Sequence, residues 1–363
     1  MQTLTQKAFN RSYDGLRVMV TGNTGFKGSW IALWLSKLGA DVHGFSLDDF
    51  GEASHFRRLP LEIETSFGDV RNKERVTEVF RNFQPQLVFH MAAQSLVRAS
   101  YVDPSFTYET NVIGTLNVME AARHCGSVDA IVNITTDKVY ENLETARPYQ
   151  EEDRLGGHDP YSSSKACAEI LTASYRNSYA AKAGILVASV RAGNVIGGGD
   201  WSADRLIPDL IRAARAGEVT EIRSPNATRP WQHVLDPLSG YLLLGQMLLE
   251  KDERFASAWN FGPDQSANVD VAKVVGLMQR NWKKIKYRIN EEEARKFHEA
   301  TSLMLNCAKV ERELKWYATW GIDKSIEQTS KWYRAFCDSG KVISPSQLEE
   351  FVDDAKAIQQ VWC

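Results

Sequence analysis

A glycine-rich segment near the N-terminus limits the possible folds of this chain more than any other feature. The run Leu16–Thr21 is short and apolar, which is typical of a buried strand. It leads into Gly22, Gly25 and Gly28, and residues 29–38 then repeat apolar side chains with the period of a helix. Glycines at a strand-to-helix junction allow a tight turn and a close approach of backbone amides to phosphate. The sequence therefore predicts a phosphate-binding turn of the dinucleotide type.

Strand and helix patterns alternate through the first half of the chain. Further strands are predicted at residues 41–47, 87–91, 130–135 and 185–190, with helices at residues 73–82, 108–124 and 162–180. This alternation favours an α/β fold with a doubly wound, parallel Rossmann-type sheet. The pattern weakens after about residue 195. We predict a dinucleotide-binding Rossmann domain over residues 1–190 and a smaller C-terminal α/β lobe, mainly for substrate, over residues 191–363, with segments that can interchange between the lobes.

Composition argues against several classes of protein. The 363 residues have a net charge of -3, and this balance favours neither nucleic acid nor an anionic membrane as partner. No apolar stretch approaches the roughly 20 residues needed to span a bilayer, and the N-terminus lacks a hydrophobic signal core, so we expect a cytoplasmic protein. The five cysteines are scattered without a CxxC pair, which argues against a disulfide framework and against a bound metal.

A second group of residues has the chemistry of proton transfer. Tyr161 and Lys165 are four residues apart in a predicted helix and share one face, so the ammonium group could lower the pKa of the phenol. A phenolate could then accept a proton at neutral pH. Thr136 ends the preceding predicted strand, where its hydroxyl could contact the reacting group. Asp137 and Lys138 follow directly as an acid/base pair, although an ordinary ion pair in a loop would have the same sequence.

These motifs together resemble the extended branch of the short-chain dehydrogenase/reductase superfamily. The GxxGxxG spacing, the YxxxK pair and the Thr at the strand end carry the resemblance. An acid/base pair directly after that Thr is similar to the nucleotide-sugar 4,6-dehydratases, and Asp-Lys rather than Asp-Glu resembles their CDP-glucose branch. The segment AAQSLVRASY, residues 92–101, also resembles that branch.

The resemblance implies an NAD-dependent lyase that converts CDP-glucose to CDP-4-keto-6-deoxyglucose and water. The reaction would proceed by oxidation at carbon 4, elimination across carbons 5 and 6, and reduction at carbon 6. Tyr161 would accept the proton of the carbon 4 hydroxyl, Asp137 would protonate the leaving hydroxyl, and Lys138 would remove the carbon 5 proton. A lysine base must be partly neutral, which requires a pKa lowered by burial or by nearby charge. The product would supply dideoxysugars of bacterial lipopolysaccharide O-antigens.

The same resemblance assigns residues to the cofactor. They are Gly22, Asn23, Thr24, Gly25, Phe26, Lys27, Gly28, Ser46, Asp69, Val70, Met91, Ala92, Ala93, Asn111, Thr135, Tyr161 and Lys165. Ser46 stands where an acidic residue that binds the adenine ribose is expected. This departure leaves the choice between NAD and NADP open and predicts looser retention of NAD.

The resemblance also assigns residues to the substrate and predicts an assembly. The substrate residues are Gln94, Ser95, Arg98, Asn194, Arg229 and His233. Arg229 resembles an arginine that binds pyrophosphate, for which a planar guanidinium is suited, although a surface arginine is the simpler interpretation. The predicted helices at 108–124 and 162–180 resemble those that pair in family dimers. We therefore expect a homodimer or homotetramer.

Several alternatives remain at this stage. They are a dehydratase for dTDP-glucose or GDP-mannose, a 4-epimerase, a catalytically inactive dinucleotide sensor, and a structural subunit of a larger complex. Asp137 and Lys138 argue against the epimerase, which needs no acid for elimination. The presence of Thr136, Tyr161 and Lys165 argues against the sensor. A large exposed apolar patch would favour the structural subunit.

Overall fold

The computed structural model describes residues 7–48, 51, 54–143, 147–222, 224–289 and 303–363. The strands in chain order are β1 (Arg17–Thr21), β2 (Asp41–Ser46), β3 (Glu64–Phe67), β4 (Leu87–His90), β5 (Ala130–Ile134), β6 (Leu186–Ala192), β7 (Val195–Ile196), β8 (Val219–Ile222), β9 (Thr228–Pro230), β10 (Gln232–His233), β11 (Ala258–Phe261), β12 (Asn268–Asp270) and β13 (Lys286–Ile289). The α-helices in chain order are α1 (Phe26–Lys37), α2 (His55–Arg58), α3 (Lys73–Phe83), α4 (Val97–Val102), α5 (Pro104–Tyr108), α6 (Gly114–Cys125), α7 (Pro160–Tyr175), α8 (Leu206–Ala216), α9 (Leu235–Leu249), α10 (Val271–Asn281), α11 (Ala308–Glu313), α12 (Ile322–Ser339) and α13 (Ser344–Ala357).

A parallel sheet forms the centre of the molecule. Among the described residues it has seven strands in the order β11-β6-β5-β4-β1-β2-β3. Every neighbouring pair in this sheet is parallel. The strand order reverses between β1 and β4, and ligands of such sheets bind in the crevice outside the carboxyl ends of the strands at this point. The doubly wound parallel sheet predicted from the sequence is confirmed.

Alternating side chains of the strands face two different hydrophobic cores. Val18 and Val20 of β1 belong to the large core that also includes side chains of α1, α9 and α12, whereas Met19 belongs to the core beneath α3 and α6. A strand that is buried on both faces has apolar side chains at successive positions, so these strands could be predicted from apolar runs in the sequence. β3 escaped prediction because its sequence, ETSF, is short and polar, as suits a half-exposed strand at the sheet edge.

The predicted helices over 108–124 and 162–180 are confirmed with an added detail. A π-helical turn, Glu109–Ile113, joins α5 to α6, and a second one, Arg176–Ala180, extends α7. A π-helical turn inserts an extra residue without ending the helix. The apolar periodicity of the sequence therefore predicts one continuous helix and does not reveal the turn. Asp159 caps the start of α7 by accepting a hydrogen bond from the Ser162 amide at 2.9 Å. This cap fixes where the helix begins and places Tyr161 on its first turn.

The second half of the chain contributes to both the sheet and the covering layers. β11 pairs with β6 at one edge of the sheet, and α9 packs against β5 and β6. The division of the chain at residue 190 stays a prediction. At the C-terminus, the Trp362 ring stacks on Phe9 with centroids 5.1 Å apart, and the Phe9 amide donates to the Trp362 carbonyl at 2.6 Å. The last helices therefore pack back against α1 and the N-terminal segment.

Two further observations concern the described part of the chain. None of its helices combines the length and the apolar character that crossing a membrane requires. It also contains no group of three or more His, Cys, Asp or Glu side chains placed to bind a metal ion.

Candidate active site

The carboxyl ends of the central strands open into a cavity of about 1710 Å³. Its walls include the glycine-rich turn, the loop after β4, the end of β5 and the start of α7. The opposite wall comes from the second half of the chain, from the segment after β6 and from parts of α8, β8 and β9. Pockets for one drug-sized ligand usually measure about 300–1,000 Å³. The volume is therefore large enough for a dinucleotide together with a second large ligand.

The geometry of the glycine-rich turn fits a pyrophosphate group. Gly22 has a φ of 73°, and a Cβ atom there would lie 2.8 Å from the amide nitrogen of Ala92. A Cβ atom on Gly28 would lie 2.0 Å from the carbonyl oxygen of Gly22. Only glycine permits these approaches. α1 begins directly after Gly25, so its free amides point at the cavity and favour an anion.

A buried histidine that the sequence analysis did not select fixes the loop after β4. The His90 ring accepts at Nδ1 from the Thr21 hydroxyl (2.7 Å) and donates from Nε2 to Thr115 Oγ1 (3.0 Å), because the Thr115 hydroxyl itself donates to the Asn111 carbonyl. Thr21 Oγ1 in turn accepts from the amides of Met91 and Ala92 at 3.1 and 3.2 Å. Burial lowers the pKa of His90 to about 3, so the ring is neutral. The sequence feature that could have indicated this role of His90 is its position as a polar residue at the end of an apolar strand.

The side chains at the carboxyl end of β2 are engaged within the protein. Ser46 Oγ lies 2.9 Å from the Thr24 hydroxyl, and both residues line the cavity. Nearby, the Asp69 carboxylate accepts from the backbone amide and the guanidinium of Arg71, at 2.9 and 2.8 Å. Burial acts to raise the pKa of Asp69, but the hydrogen bonds from Arg71 outweigh it and lower the pKa. Val70 also lines the cavity beside Asp69.

The five residues predicted to be catalytic all line this cavity. Asp137 is fully buried, and its Oδ1 accepts from the Thr136 hydroxyl and from Lys138 Nζ, each at 3.0 Å. Its second oxygen, Oδ2, is buried and has no partner within the described part of the protein. The two remaining members, Tyr161 and Lys165, project from the first turns of α7. A carboxylate with one free buried oxygen is placed to act on a ligand.

The electrostatics of Tyr161 differ in one respect from the prediction. Burial raises the pKa of Tyr161, and the charge of Lys138 and a hydrogen bond with Thr136 act against this rise. Lys138, rather than Lys165, is thus the lysine with the strongest effect on the phenol. Lys165 donates to the Ile134 carbonyl at 3.0 Å, and burial lowers its pKa to about 8. The expected pairing of Lys165 with Tyr161 is corrected because the strand-end carbonyl binds the ammonium group instead.

Lys27 brings a third lysine to the same group of side chains. It is the second residue of α1 and lines the cavity. Burial and the charge of Arg205 lower the pKa of Lys27 to about 7, while Asp137 opposes the shift. Arg205, which the sequence analysis missed, donates to Asp200 at 3.0 Å and to Ser95 at 3.1 Å. It lies just before α8 without any recognisable motif, so only the fold shows its proximity to the site.

The predicted substrate residues divide into two groups. Gln94, Ser95, Arg98, Asn194 and Arg229 line the cavity. His233 does not, and this prediction is corrected. Its ring is fully buried between Trp30 and Trp320, with centroid distances of 6.1 and 4.8 Å. Burial lowers its pKa to about 3, as expected for a neutral histidine in the core.

Three of the predicted cofactor residues have roles inside the protein. Asn111 is almost fully buried outside the cavity wall and donates to the Gln94 carbonyl (2.9 Å) and to Ser164 (2.8 Å). Asn23 is also buried, and its amide donates to Thr65 at 2.9 Å. The Thr135 hydroxyl contacts Glu169 at 2.5 Å, although Thr135 still lines the cavity. For Asn23 and Asn111, the structure therefore supports a role in shaping the walls rather than direct contact with a ligand. The remaining predicted cofactor residues, Gly22, Thr24, Gly25, Phe26, Lys27, Gly28, Ser46, Asp69, Val70, Met91, Ala92, Ala93, Tyr161 and Lys165, line the cavity.

Known proteins similar to this chain show the same architecture and related activities. A family model described as GDP-mannose 4,6 dehydratase matches residues 19–329. A CDP-glucose 4,6-dehydratase of Salmonella typhimurium is 44% identical over 344 residues, which cover 93% of this chain and 96% of that protein. The epimerase Mth375 of Methanothermobacter thermautotrophicus is 26% identical, with a TM-score of 0.79 over 93% of this chain and 97% of that one. The dTDP-glucose 4,6-dehydratase DesIV of Streptomyces venezuelae is similar in fold, with a TM-score of 0.73 and 23% identity over 88% of this chain and 97% of that one.

The match to the family model extends over most of the chain and includes the glycine-rich turn, the end of β5 and the start of α7. The relative from Salmonella covers the same region at an identity well above that of the structural neighbours. The chain therefore belongs to the GDP-mannose 4,6 dehydratase family, among the nucleotide-sugar 4,6-dehydratases of the short-chain dehydrogenase/reductase superfamily.

Proposed function

We propose that this protein converts CDP-glucose to CDP-4-keto-6-deoxyglucose and water with NAD as its cofactor. The observation that carries the proposal is the ion pair of the buried Asp137 with the half-buried Lys138, 3.0 Å apart, beside Thr136 and Tyr161. A simple reductase or epimerase needs a phenol, a lysine and a hydroxyl, whereas an elimination also needs an acid for the leaving group and a base for carbon 5. The pair supplies both within one cavity wall.

The positions of these groups suggest how protons move. Tyr161 accepts the proton of the carbon 4 hydroxyl, helped by the positive charge of Lys138. Transfer of one proton from Lys138 to Asp137 along their hydrogen bond turns the ion pair into a neutral acid and a neutral base. Lys138 then removes the carbon 5 proton while Asp137 protonates the carbon 6 hydroxyl, which leaves as water. This elimination restores the original ion pair. When hydride is added to carbon 6, the ammonium group of Lys138 returns its proton to carbon 5. The proton that Tyr161 accepted from the carbon 4 hydroxyl then passes back to Lys138, so the protons balance over the cycle.

The glycine-rich turn and the loop after β4 are the parts of the cavity that suit NAD. The free amides of α1 and the absence of side chains at Gly22 and Gly28 leave room for its pyrophosphate. When bound there, NAD supplies the oxidation at carbon 4 and the later reduction at carbon 6. Ser46 offers a hydroxyl, already engaged by Thr24, in place of a carboxylate for the adenine ribose. We expect NAD to be lost in part during purification, and a stoichiometric amount of NAD in the purified protein would contradict this.

The preference for a cytosine nucleotide rests on the similarity to the Salmonella relative, whose 44% identity extends over nearly the whole chain. The test is incubation of the protein and NAD with CDP-glucose, dTDP-glucose, UDP-glucose or GDP-mannose in separate reactions. The alkali-induced absorbance of the 4-keto-6-deoxy product reports turnover. Product from CDP-glucose alone supports the proposal. Product from another donor would reject the nucleotide preference, and no product from any donor would reject the dehydratase activity.

Assembly and cellular role follow from the same proposal. The two segments that resemble family dimer helices, 108–124 and 162–180, carry exposed apolar side chains, among them Ile113, Ile170 and Tyr179, with exposed fractions of 47%, 58% and 53%. Pairing of these two segments between protomers would cover such side chains, and this supports a homodimer or homotetramer. A monomeric mass in light scattering would contradict this. We also propose that the protein acts in the cytoplasm, in the supply of dideoxysugars for O-antigen.

A further inference from the structure

A fully buried carboxylate lies beneath the reacting groups and has no direct access to a ligand. Glu169 of α7 is 3% exposed. Its Oε1 accepts from the Thr135 hydroxyl at 2.5 Å, and its Oε2 accepts from Ser189 and from Arg191, each at 2.8 Å. Burial acts to raise the pKa of Glu169, but the charge of Arg191 and these hydrogen bonds outweigh it, so the carboxylate is ionised.

A buried ion pair of this kind needs an explanation beyond stability. Removing two charges from water costs several kcal/mol per ion, and a well-packed apolar pair is often as stable or more stable. Arg191 is equally buried and also donates to the Tyr140 hydroxyl at 2.8 Å and to the Glu151 carbonyl at 3.0 Å. Glu169 and Arg191 thereby join α7 and β6 and, through Thr135, the end of β5.

The connection leads directly to the residues that react. Glu169 is four residues after Lys165 on α7, so the two side chains lie on one face of the helix. Thr135, which Glu169 binds, stands between Ile134, whose carbonyl accepts from Lys165 Nζ at 3.0 Å, and Thr136, which contacts Tyr161. A displacement of Thr135 would therefore move the groups that contact Lys165 and Tyr161 together.

We propose that Glu169 is a positioning residue for the dehydratase reaction, which fixes the end of β5 against α7 and keeps Lys165 charged and in place at the Ile134 carbonyl. The inference rests on the proposed function but goes beyond it, because Glu169 touches neither ligand. Electrostatics support it, since burial lowers the pKa of Lys165 to about 8 and Glu169 is the group that opposes this shift. Lys27 on α1 and the neutral His90 on β4 also interact electrostatically with Lys165. Neither can replace the negative charge of Glu169.

The test compares the pH dependence of turnover in the wild-type protein and in Glu169→Gln, with Glu349→Gln as the control. Glu349 is exposed on α13 and does not line the cavity, so its variant should match the wild type. In Glu169→Gln we expect kcat for CDP-glucose to fall on the order of tenfold at pH 7.5, within the range of effects on proton transfer. The KM and the Kd for NAD should remain within a factor of two or so of the wild-type values. In a plot of kcat against pH, the fall in kcat on the alkaline side (the alkaline limb) should occur at a pH lower by on the order of one unit. The reason is that loss of a neighbouring negative charge lowers the pKa of Lys165.

A purely structural role would reduce kcat equally at all pH values, so an unmoved alkaline limb in Glu169→Gln overturns the electrostatic part of the proposal. Thr135→Val separates the two parts, because it removes the contacts of the Thr135 hydroxyl with Glu169 and the Val190 carbonyl but keeps the Glu169 charge and the ion pair with Arg191. In that variant we expect a lower kcat without movement of the limb, and an unchanged kcat would overturn the positioning role even if Glu169→Gln fails to fold. Absence of turnover in the wild type would instead count against the proposed function alone.

Discussion

Replacing Lys27 with methionine is expected to make the ligand-free protein more stable at neutral pH. Lys27 lies on the first turn of α1, where the helix dipole disfavours a cation, and near the charged groups of Arg205, Lys138 and Lys165. Burial and these charges lower its pKa from 10.5 to about 7. At about 1.4 kcal/mol for each pKa unit, this shift corresponds to a ceiling of about 5 kcal/mol of lost stability. The side chain keeps some contact with solvent, and screening reduces the expected gain to about half of that ceiling.

The sign of the pH dependence follows from proton counting. Between pH 7 and 10.5 the unfolded chain binds a proton at Lys27 that the folded protein lacks, so wild-type stability rises with pH in this interval. The advantage of Lys27→Met should therefore be largest below pH 7 and should disappear as the pH approaches 10.5. Urea unfolding at several pH values between 6 and 9.5 measures it, with Lys37→Met, an exposed change at the other end of α1, as the control. A Lys27→Met protein that is less stable than the wild type at pH 7 would refute the reasoning.

Three further substitutions test single contacts of the site and the core. Asp137→Asn should reduce formation of the keto product by about 10²-fold or more, because the leaving hydroxyl loses its acid, while NAD still becomes reduced and its absorbance at 340 nm persists; normal product formation would contradict this. Gly28→Ala should abolish NAD binding in calorimetry, since a Cβ atom would lie 2.0 Å from the Gly22 carbonyl; wild-type affinity would show that the turn does not contact the cofactor. Trp332→Ala should lower the free energy of unfolding by about 3–5 kcal/mol, because it removes a fully buried ring and the hydrogen bond of its indole to Ser344 at 2.8 Å; a loss below about 1 kcal/mol would contradict this packing role.

The sequence determined the features that depend on neighbouring residues. The strands buried on both faces appeared as apolar runs, and the phosphate-binding turn appeared in the spacing of Gly22, Gly25 and Gly28. The resemblance to the nucleotide-sugar 4,6-dehydratases implied an acid/base pair at Asp137 and Lys138. The structure shows a hydrogen bond of 3.0 Å between them, and their roles in the reaction stay a prediction. β3 could not be predicted because its four residues are mostly polar. The π-helical turns could not be predicted because they lie within stretches whose helical periodicity they barely change.

The tertiary structure decided which distant groups face each other. Tyr161 and Lys165 share a helix face, yet the carbonyl of Ile134 binds Lys165, and Lys138 becomes the main charge near the phenol. The sequence alone does not distinguish a histidine that binds a ligand from one in the core. In the structure, His233 packs between two tryptophans and is buried in the core. Local spacing fixes which side chains can be neighbours along one element, whereas burial and the approach of other elements fix their charges and partners. Burial and the approach of other elements depend on residues that are far apart in the chain, so a local sequence pattern cannot predict them.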